Sequence, residues 1–419
     1  MKLAVIGGGS TYTPELVDGI ARLTGGIKIT ELVLVDPDAE RLSVVGPFSA
    51  RIMARYGHPA VMRWTSDLDD GVEGAGAVLL QLRVGGQATR NRDETWPLEF
   101  CCIGQETTGA GGFAKALRTV PVVLDVAARV RELAAPDAWI IDFTNPVGIV
   151  TRALLDAGHR AIGLCNVAIG YQRLAASLLG VSPEAVALDH VGLNHLTWER
   201  AALVDGTDRL PELIQAHGEE IASHTGLPLA ATTAYGAVPS YYLRYFWAHD
   251  AVVEEERGQQ TRAQAVAEIE RQLLEMYADP ALDTKPELLT HRGGAFYSEA
   301  AVALLASLVT DARDRQVVNV RNRGTLPFLA DEAVIEVSAI VGSDGATPVE
   351  VAPVDPLMSG LIAHVSAYEE LALDAALRGG RDRVAKALLA HPLVGQFDLA
   401  GQLADRLLAE NAAFLSWAR

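Results

Sequence analysis

Cys165 and His195 are the residues of this 419-residue chain whose side chains could jointly hold a transition metal. Cys165 follows a short apolar run, residues 161–164, that reads as a buried strand, and Asn166 comes next. A parallel strand delivers the residues at its end to the carboxyl edge of the sheet, where open α/β sheets bind ligands. His195 lies with Asn194 in Gly-Leu-Asn-His-Leu-Thr-Trp, residues 192–198. A thiolate and an imidazole suit a borderline divalent metal, and two protein ligands leave coordination positions for substrate oxygens. Taken alone, the pair is more simply a buried free thiol and a histidine satisfied in a core.

A second constellation stands at the start of the chain. The apolar run 2–6 leads into Gly-Gly-Gly-Ser-Thr-Tyr-Thr-Pro-Glu-Leu-Val, and apolar residues at helical spacing follow at Leu16, Val17, Ile20 and Leu23. Strand, glycine turn and helix form the opening of a dinucleotide-binding unit. Gly7 suits the tight turn, Gly9 suits backbone approach to a pyrophosphate, and Ser10 and Thr11 precede a helix N-terminus that favours phosphate. Tyr12 occupies the place of the third glycine of the usual fingerprint. The next apolar run, 31–35, ends in Asp36. A carboxylate there suits the ribose hydroxyls and repels a 2′-phosphate, which favours NAD over NADP.

These residues need elements to position them. Residues 39–55 and 114–133 read as helices, and residues 61–64, 77–82 and 138–143 as strands. Residues 103–112, Ile-Gly-Gln-Glu-Thr-Thr-Gly-Ala-Gly-Gly, read as a loop on their glycine content. Strands alternating with helices predict a doubly wound parallel sheet of the Rossmann type. After His195 strand-like runs become rare. Helical patterns dominate at 210–224, 241–249, 257–277, 291–308, 357–389 and 399–417, with strand character only at 316–320 and 333–341. The expected organisation is an NAD-binding Rossmann-like domain over residues 1–170. An α-rich domain containing a small sheet follows over 171–419, for substrate, metal and subunit contacts.

Composition narrows the function. The chain is 49% hydrophobic and 21% charged, with a formal charge of −18. Such acidity argues against nucleic acid or an anionic membrane as the main partner. The three cysteines, Cys101, Cys102 and Cys165, are too few and odd for a disulfide scaffold and fit a reducing compartment. Adjacent cysteines pair only with strain, so Cys101 and Cys102 are expected to be packing residues. With no signal-peptide pattern and no run of transmembrane length, a cytoplasmic protein is expected.

Several segments resemble glycoside hydrolase family 4. They are the N-terminal glycine turn, Arg90 with Asp93 and Glu94, residues 103–112, Phe-Thr-Asn-Pro-Val-Gly-Ile-Val-Thr at 143–151, Gly-Leu-Cys-Asn at 163–166, residues 192–198, Val-Pro-Ser-Tyr-Tyr-Leu-Arg-Tyr-Phe at 238–246, the Arg-Gly-Gly-Ala stretch from Arg292, and residues 317–337. They run in order from residue 1 to about 340. The nucleotide-binding fold of that family resembles lactate and malate dehydrogenases.

The resemblance implies hydrolysis of glycosides by oxidation of the sugar at carbon 3, proton abstraction at carbon 2, elimination of the aglycone, water addition and re-reduction. NAD is recycled, and a divalent metal, usually manganese, acts as Lewis acid. It implies Cys165 and His195 as metal ligands and Tyr242 as the proton-abstracting base, with Tyr241 the adjacent alternative. A free tyrosine has a pKa of roughly 10 and needs a nearby cation to act as base near neutrality. Arg90 and Asn145 match substrate contacts, and Arg292 is a second candidate for a sugar phosphate. Asn166 stands where the α-glycosidase branch carries an aspartate general acid. Its amide resembles the 6-phospho-β-glucosidase branch and is expected to position sugar hydroxyls.

The chain departs from the family pattern at Cys101, Cys102, Arg152 and Ala168, which bears on sugar and phosphate preference. A phosphorylated sugar glycoside is the expected partner, and a homodimer or homotetramer the expected assembly. The competing readings are the same chemistry on an unphosphorylated or different glycoside, an NAD-dependent hydroxy-acid dehydrogenase, and a non-catalytic sensor of NAD or sugar.

Overall fold

The computed structural model describes residues 1–22, 27–294 and 296–418. Leu23 and Ala295 lie outside the described residues.

The N-terminal half alternates as its apolar runs require. Its elements are β1 (Lys2–Ile6), α1 (Thr13–Ala21), β2 (Glu31–Val35), α2 (Ala39–Arg55), β3 (Val61–Thr65), α3 (Leu68–Val72), β4 (Ala75–Leu80), α4 (Gly86–Thr95), α5 (Gly109–Leu133), β5 (Trp139–Asp142), α6 (Val147–Asp156), β6 (Ala161–Gly163) and α7 (Val167–Leu179). The central strands are continuous hydrophobic runs because helices cover both faces. Leu3, Ala4, Val5, Leu32, Val33 and Leu34 are fully buried. Six parallel strands run in the order β3-β2-β1-β4-β5-β6, the dinucleotide-binding order with its reversal beside β1.

The second half comprises β7 (Val186–Leu193), β8 (Leu196–Val204), β9 (Thr207–Asp208), α8 (Leu210–Thr225), α9 (Leu229–Thr233), β10 (Val238–Pro239), α10 (Arg244–Trp247), α11 (His249–Arg257), α12 (Arg262–Tyr277), α13 (Tyr297–Thr310), β11 (Asp314–Arg321), β12 (Val334–Gly342), β13 (Gly345–Pro348), α14 (Pro356–Arg378), α15 (Arg381–Ala390) and α16 (Phe397–Asn411). The small sheet of this half is continuous with the first, because β11 pairs antiparallel with β6 at Asn319 and Gly163. From β11 it continues through β12, β7, β8 and β10. Among the described residues no helix is long and apolar enough to cross a membrane.

Two differences from the sequence expectation matter for the site. The nine-residue strand β8 follows His195 where strand character was expected to fade. Polar Thr197, Glu199 and Arg200 interrupt its apolar pattern, and its partner β7 supplies the pairing. The segment 103–112 is not loop throughout, because α5 begins at Gly109. Its glycines serve close approach: a Cβ on Gly111 would lie 2.4 Å from the carbonyl oxygens of Asp93 and Gln105. Residues 86–95, to which the sequence pattern assigned no element, form helix α4, which carries Arg90.

Candidate active site

The carboxyl ends of β1, β4, β5 and β6 open onto one cavity of about 1150 Å³. That exceeds the roughly 300–1,000 Å³ of a typical small-molecule pocket and suits two ligands side by side. Gly7, Ser10 and Asp36 line one part, and Arg90, Asn145, Asn166, His195 and Tyr242 line another.

On the nucleotide side, Gly7 makes the turn with φ +86°, and a Cβ there would sit 2.6 Å from the Gln81 carbonyl oxygen. Gly9 serves differently from expectation. Its N–H donates to the Asp36 carboxylate at 3.0 Å, so it is not free for a pyrophosphate. A Cβ on Gly9 would lie 2.9 Å from Asp36 Cγ. Asp36 is thereby fixed at the end of β2, its other oxygen accepting from the Asp38 N–H at 3.0 Å. Burial raises its pKa. Tyr12, in place of the third glycine, joins α1 to α13. Its hydroxyl donates to the Gly294 carbonyl at 2.9 Å and accepts from the Ser298 N–H at 3.0 Å.

Arg292 belongs to this side as well. Its guanidinium donates to Thr11 Oγ1 at 2.6 Å, to Ser10 Oγ at 3.2 Å and to Glu270 at 2.9 Å. Arg292 thus clamps the glycine turn while it also lines the cavity.

On the other side, Cys165 follows β6 and is buried. Burial first, and then the charge of Glu336, pushes its thiol up. The Tyr297 hydroxyl lies 4.0 Å from its sulfur. His195 occupies the tight β7–β8 turn with φ +64°. It is buried, and its Nδ1 has no hydrogen-bond partner among the described residues. Burial lowers its pKa to about 4, so the imidazole is neutral and able to bind a cation. The Tyr242 ring stacks on it at 3.8 Å and 13°. Burial, followed by Cys165, raises the Tyr242 phenol well above its usual value, while Arg90 opposes that rise. Among the described residues no three His, Cys, Asp or Glu side chains form a complete metal cage. An orphaned imidazole nitrogen and a neighbouring thiol fit a cation that takes its remaining ligands from substrate or water. Tyr241 lines the mouth of the cavity instead and is 41% exposed.

Asn145 lies in the turn after β5, its Oδ1 buried and without a hydrogen-bond partner among the described residues. Asn166 caps the start of α7 by position. Arg90 meets Glu94 at 2.6 Å and Glu106 at 3.1 Å, both through Nε, so its terminal nitrogens make no hydrogen bond among the described residues. Arg152 pairs with Asp156 and Glu370, outside the cavity lining. Cys101 and Cys102 are free thiols, the first exposed and the second buried.

Two groups of residues escaped the sequence reading. Glu106 accepts from Arg83 and from Lys115 at 2.7 Å. Burial alone would raise its carboxyl, but Arg83, Lys115 and Arg90 hold it well below the usual range. Burial brings Lys115 down to about 7. The second group lies behind the β7–β8 turn. His190 bridges Glu199 at 2.7 Å and Glu336 at 3.1 Å, and Glu336 also accepts from Asn194 at 3.0 Å and Asn319 at 2.8 Å. Burial opposes charge on His190, yet the two carboxylates push it up to about 10. Glu106 had a visible signal in its Gln-Glu-Thr motif. Asn194, Asn319 and Glu336 lie within the segments 192–198 and 317–337, but their meeting with His190 and Glu199 was not legible, because the residues come from separate strands.

The strand order and the glycine turn after β1 define an α/β protein with a dinucleotide-binding type of fold. The malate dehydrogenase of Salinibacter ruber shares the fold, with a TM-score of 0.55 at 18% identity over 91% of this chain and 99% of that one. The chain belongs to glycoside hydrolase family 4: residues 2–181 match the model described as family 4 glycosyl hydrolase, and residues 190–394 match its C-terminal domain. It is 34% identical over 433 residues to the 6-phospho-beta-glucosidase of Escherichia coli, covering 99% of this chain and 96% of that one. The 6-phospho-beta-glucosidase of Thermotoga maritima, solved with NAD and glucose-6-phosphate, superposes with a TM-score of 0.93 at 34% identity over 99% of both chains. A further structure of that enzyme also contains manganese.

Proposed function

We propose that this family 4 glycosidase hydrolyses 6-phospho-β-glucosides by the redox-elimination route. The observation that carries the reading is the stacking of Tyr242 on His195, at 3.8 Å, within the cavity that Asp36 and Gly7 also line. NAD and a divalent metal, when bound, supply hydride acceptance from carbon 3 and polarisation of the sugar oxygens. Cys165 and His195 hold the metal, and Gly7, Ser10, Thr11 and Asp36 hold the nucleotide with Arg292 bracing the turn. Tyr242 removes the proton from carbon 2. Its raised phenol needs cationic help, which Arg90 supplies in part. Asn145 and Asn166 orient sugar hydroxyls, and the terminal nitrogens of Arg90 take the 6-phosphate as a planar fork. Asn166 supports the β-linked assignment because an amide cannot donate the proton that an aspartic acid would.

The test is nitrophenol release from nitrophenyl 6-phospho-β-glucoside by enzyme stripped of NAD, with NAD and manganese added singly and together under reducing conditions. Release that requires both is expected. Release from the unphosphorylated or α-linked glycoside alone would move the substrate assignment. Steady accumulation of NADH with a hydroxy acid would replace the glycosidase reading.

A further inference from the structure

Tyr241 is a large aromatic left partly in solvent at the mouth of the catalytic cavity, and the structure holds it still. Its ring is 41% exposed and lines the cavity. The Arg244 guanidinium lies 5.1 Å from the ring centroid and donates to the phenolic oxygen at 2.5 Å. Arg244 is itself held by Glu255 at 2.5 Å. Gly226, at the end of α8, supports one ring edge: a Cβ there would meet Tyr241 Cε2 at 3.1 Å. Tyr242 and Tyr245 stand at 85° and 90° to the ring, so neither stacks on it. Arg244 takes the phenol oxygen and lies over one face of the ring, while no aromatic ring stacks parallel on Tyr241 among the described residues.

A braced, exposed aromatic beside a sugar-binding cavity offers a flat surface to another ring at small entropic cost. We propose that Tyr241 is the aglycone subsite and selects 6-phospho-β-glucosides whose aglycone is a ring, aryl or pyranose, over those with a small alkyl group. The proposal rests on the substrate reading above. Stacking of this kind is worth about tenfold in affinity.

The experiment measures kcat and KM of the NAD- and manganese-loaded wild type, Tyr241→Ala and Tyr241→Phe on nitrophenyl, glucosyl and methyl 6-phospho-β-glucosides. Tyr241→Ala should raise KM about tenfold for at least one ring-bearing substrate and leave the methyl glycoside within about twofold. Tyr241→Phe, which keeps the ring, should stay within about threefold of wild type on all three. The nitrophenyl and glucosyl arms show which ring the subsite takes. Equal losses on all three substrates would mean that Tyr241 acts through Tyr242 or on the chemistry, and would overturn the subsite, as would no change on any. Wild-type enzyme that cleaves none of the three would instead overturn the phosphoglucoside reading itself, and the subsite with it.

Discussion

Replacing Glu336 separates the scaffold of the metal-site turn from its chemistry. The buried carboxylate accepts three hydrogen bonds, from His190 at 3.1 Å, Asn194 at 3.0 Å and Asn319 at 2.8 Å. All three run to an ionised carboxylate, and each is worth about 1.5–3 kcal/mol, though not additively within one network. Glu336→Ala strands all three donors in the core, so a loss of roughly 3–6 kcal/mol is expected. Glu336→Gln should cost only about 1–2 kcal/mol. Its amide oxygen can keep both asparagine bonds, while its NH2 donates to a neutral His190 whose other nitrogen still donates to Glu199. Equilibrium unfolding followed by tryptophan fluorescence measures both, with Trp198 buried on β8 beside the network. Because Asn194 adjoins His195, Glu336→Ala should also weaken manganese binding about 10–100-fold, and Glu336→Gln less than about tenfold. Equal costs for the two variants, or a cost below about 1 kcal/mol for Glu336→Ala, would refute the reasoning.

Other consequences follow from the same geometry. Gly9→Ala should weaken NADH binding about tenfold, read by fluorescence titration, because its Cβ pushes the Asp36 carboxyl from 2.9 Å; unchanged affinity would contradict that role. Gly7→Ala should instead lower thermal stability, by about 1–3 kcal/mol, since its φ of +86° strains any side chain. Asp36→Ser should improve NADP relative to NAD binding at least about tenfold, because Arg41, whose Nε sits 2.9 Å from the Gly9 carbonyl, would face the 2′-phosphate without the Asp36 carboxylate between them. His190 gives the pH dependence. Its folded pKa is raised from 6.5 to about 10, so its contribution to stability is complete below pH 6.5 and is lost as pH rises toward 10. The difference in melting temperature between wild type and His190→Gln should shrink across that window, and a difference that grows with pH would contradict the assignment.

The sequence was most legible where local pattern carries the signal. The runs 2–6 and 31–35 and the helix 39–55 emerge at those bounds, because buried parallel strands and capped helices announce themselves locally. Asp38 caps that helix through the Arg41 N–H. Strand β8 was hidden because its neighbours β7 and β10 lie on either side of it and supply its pairing, so that its polar residues need not alternate strictly. Glycines at 109–112 read as loop because sequence cannot distinguish a glycine chosen for flexibility from one chosen for close approach. The motifs named Arg90, Asn145, Asn166, His195 and Tyr242, which line one cavity, and Cys165, which is buried. Arg292 was found too, but its destination on the glycine turn depends on α12 bringing Glu270 beside it. The Glu336 network draws on strands β7, β8, β11 and β12, and although the segments 192–198 and 317–337 were marked, their pairing with His190 and Glu199 depends on strand order that no single segment encodes.

The most direct measurement is the fate of the hydrogen on carbon 2 during turnover in heavy water. The substrate is nitrophenyl 6-phospho-β-glucoside, and the product sugar phosphate is analysed by NMR. Abstraction by Tyr242 and return of a solvent proton predict deuterium at carbon 2 of the product, with turnover and labelling both lost in Tyr242→Phe. Efficient hydrolysis to a product that keeps its original hydrogen at carbon 2 would contradict the redox-elimination account.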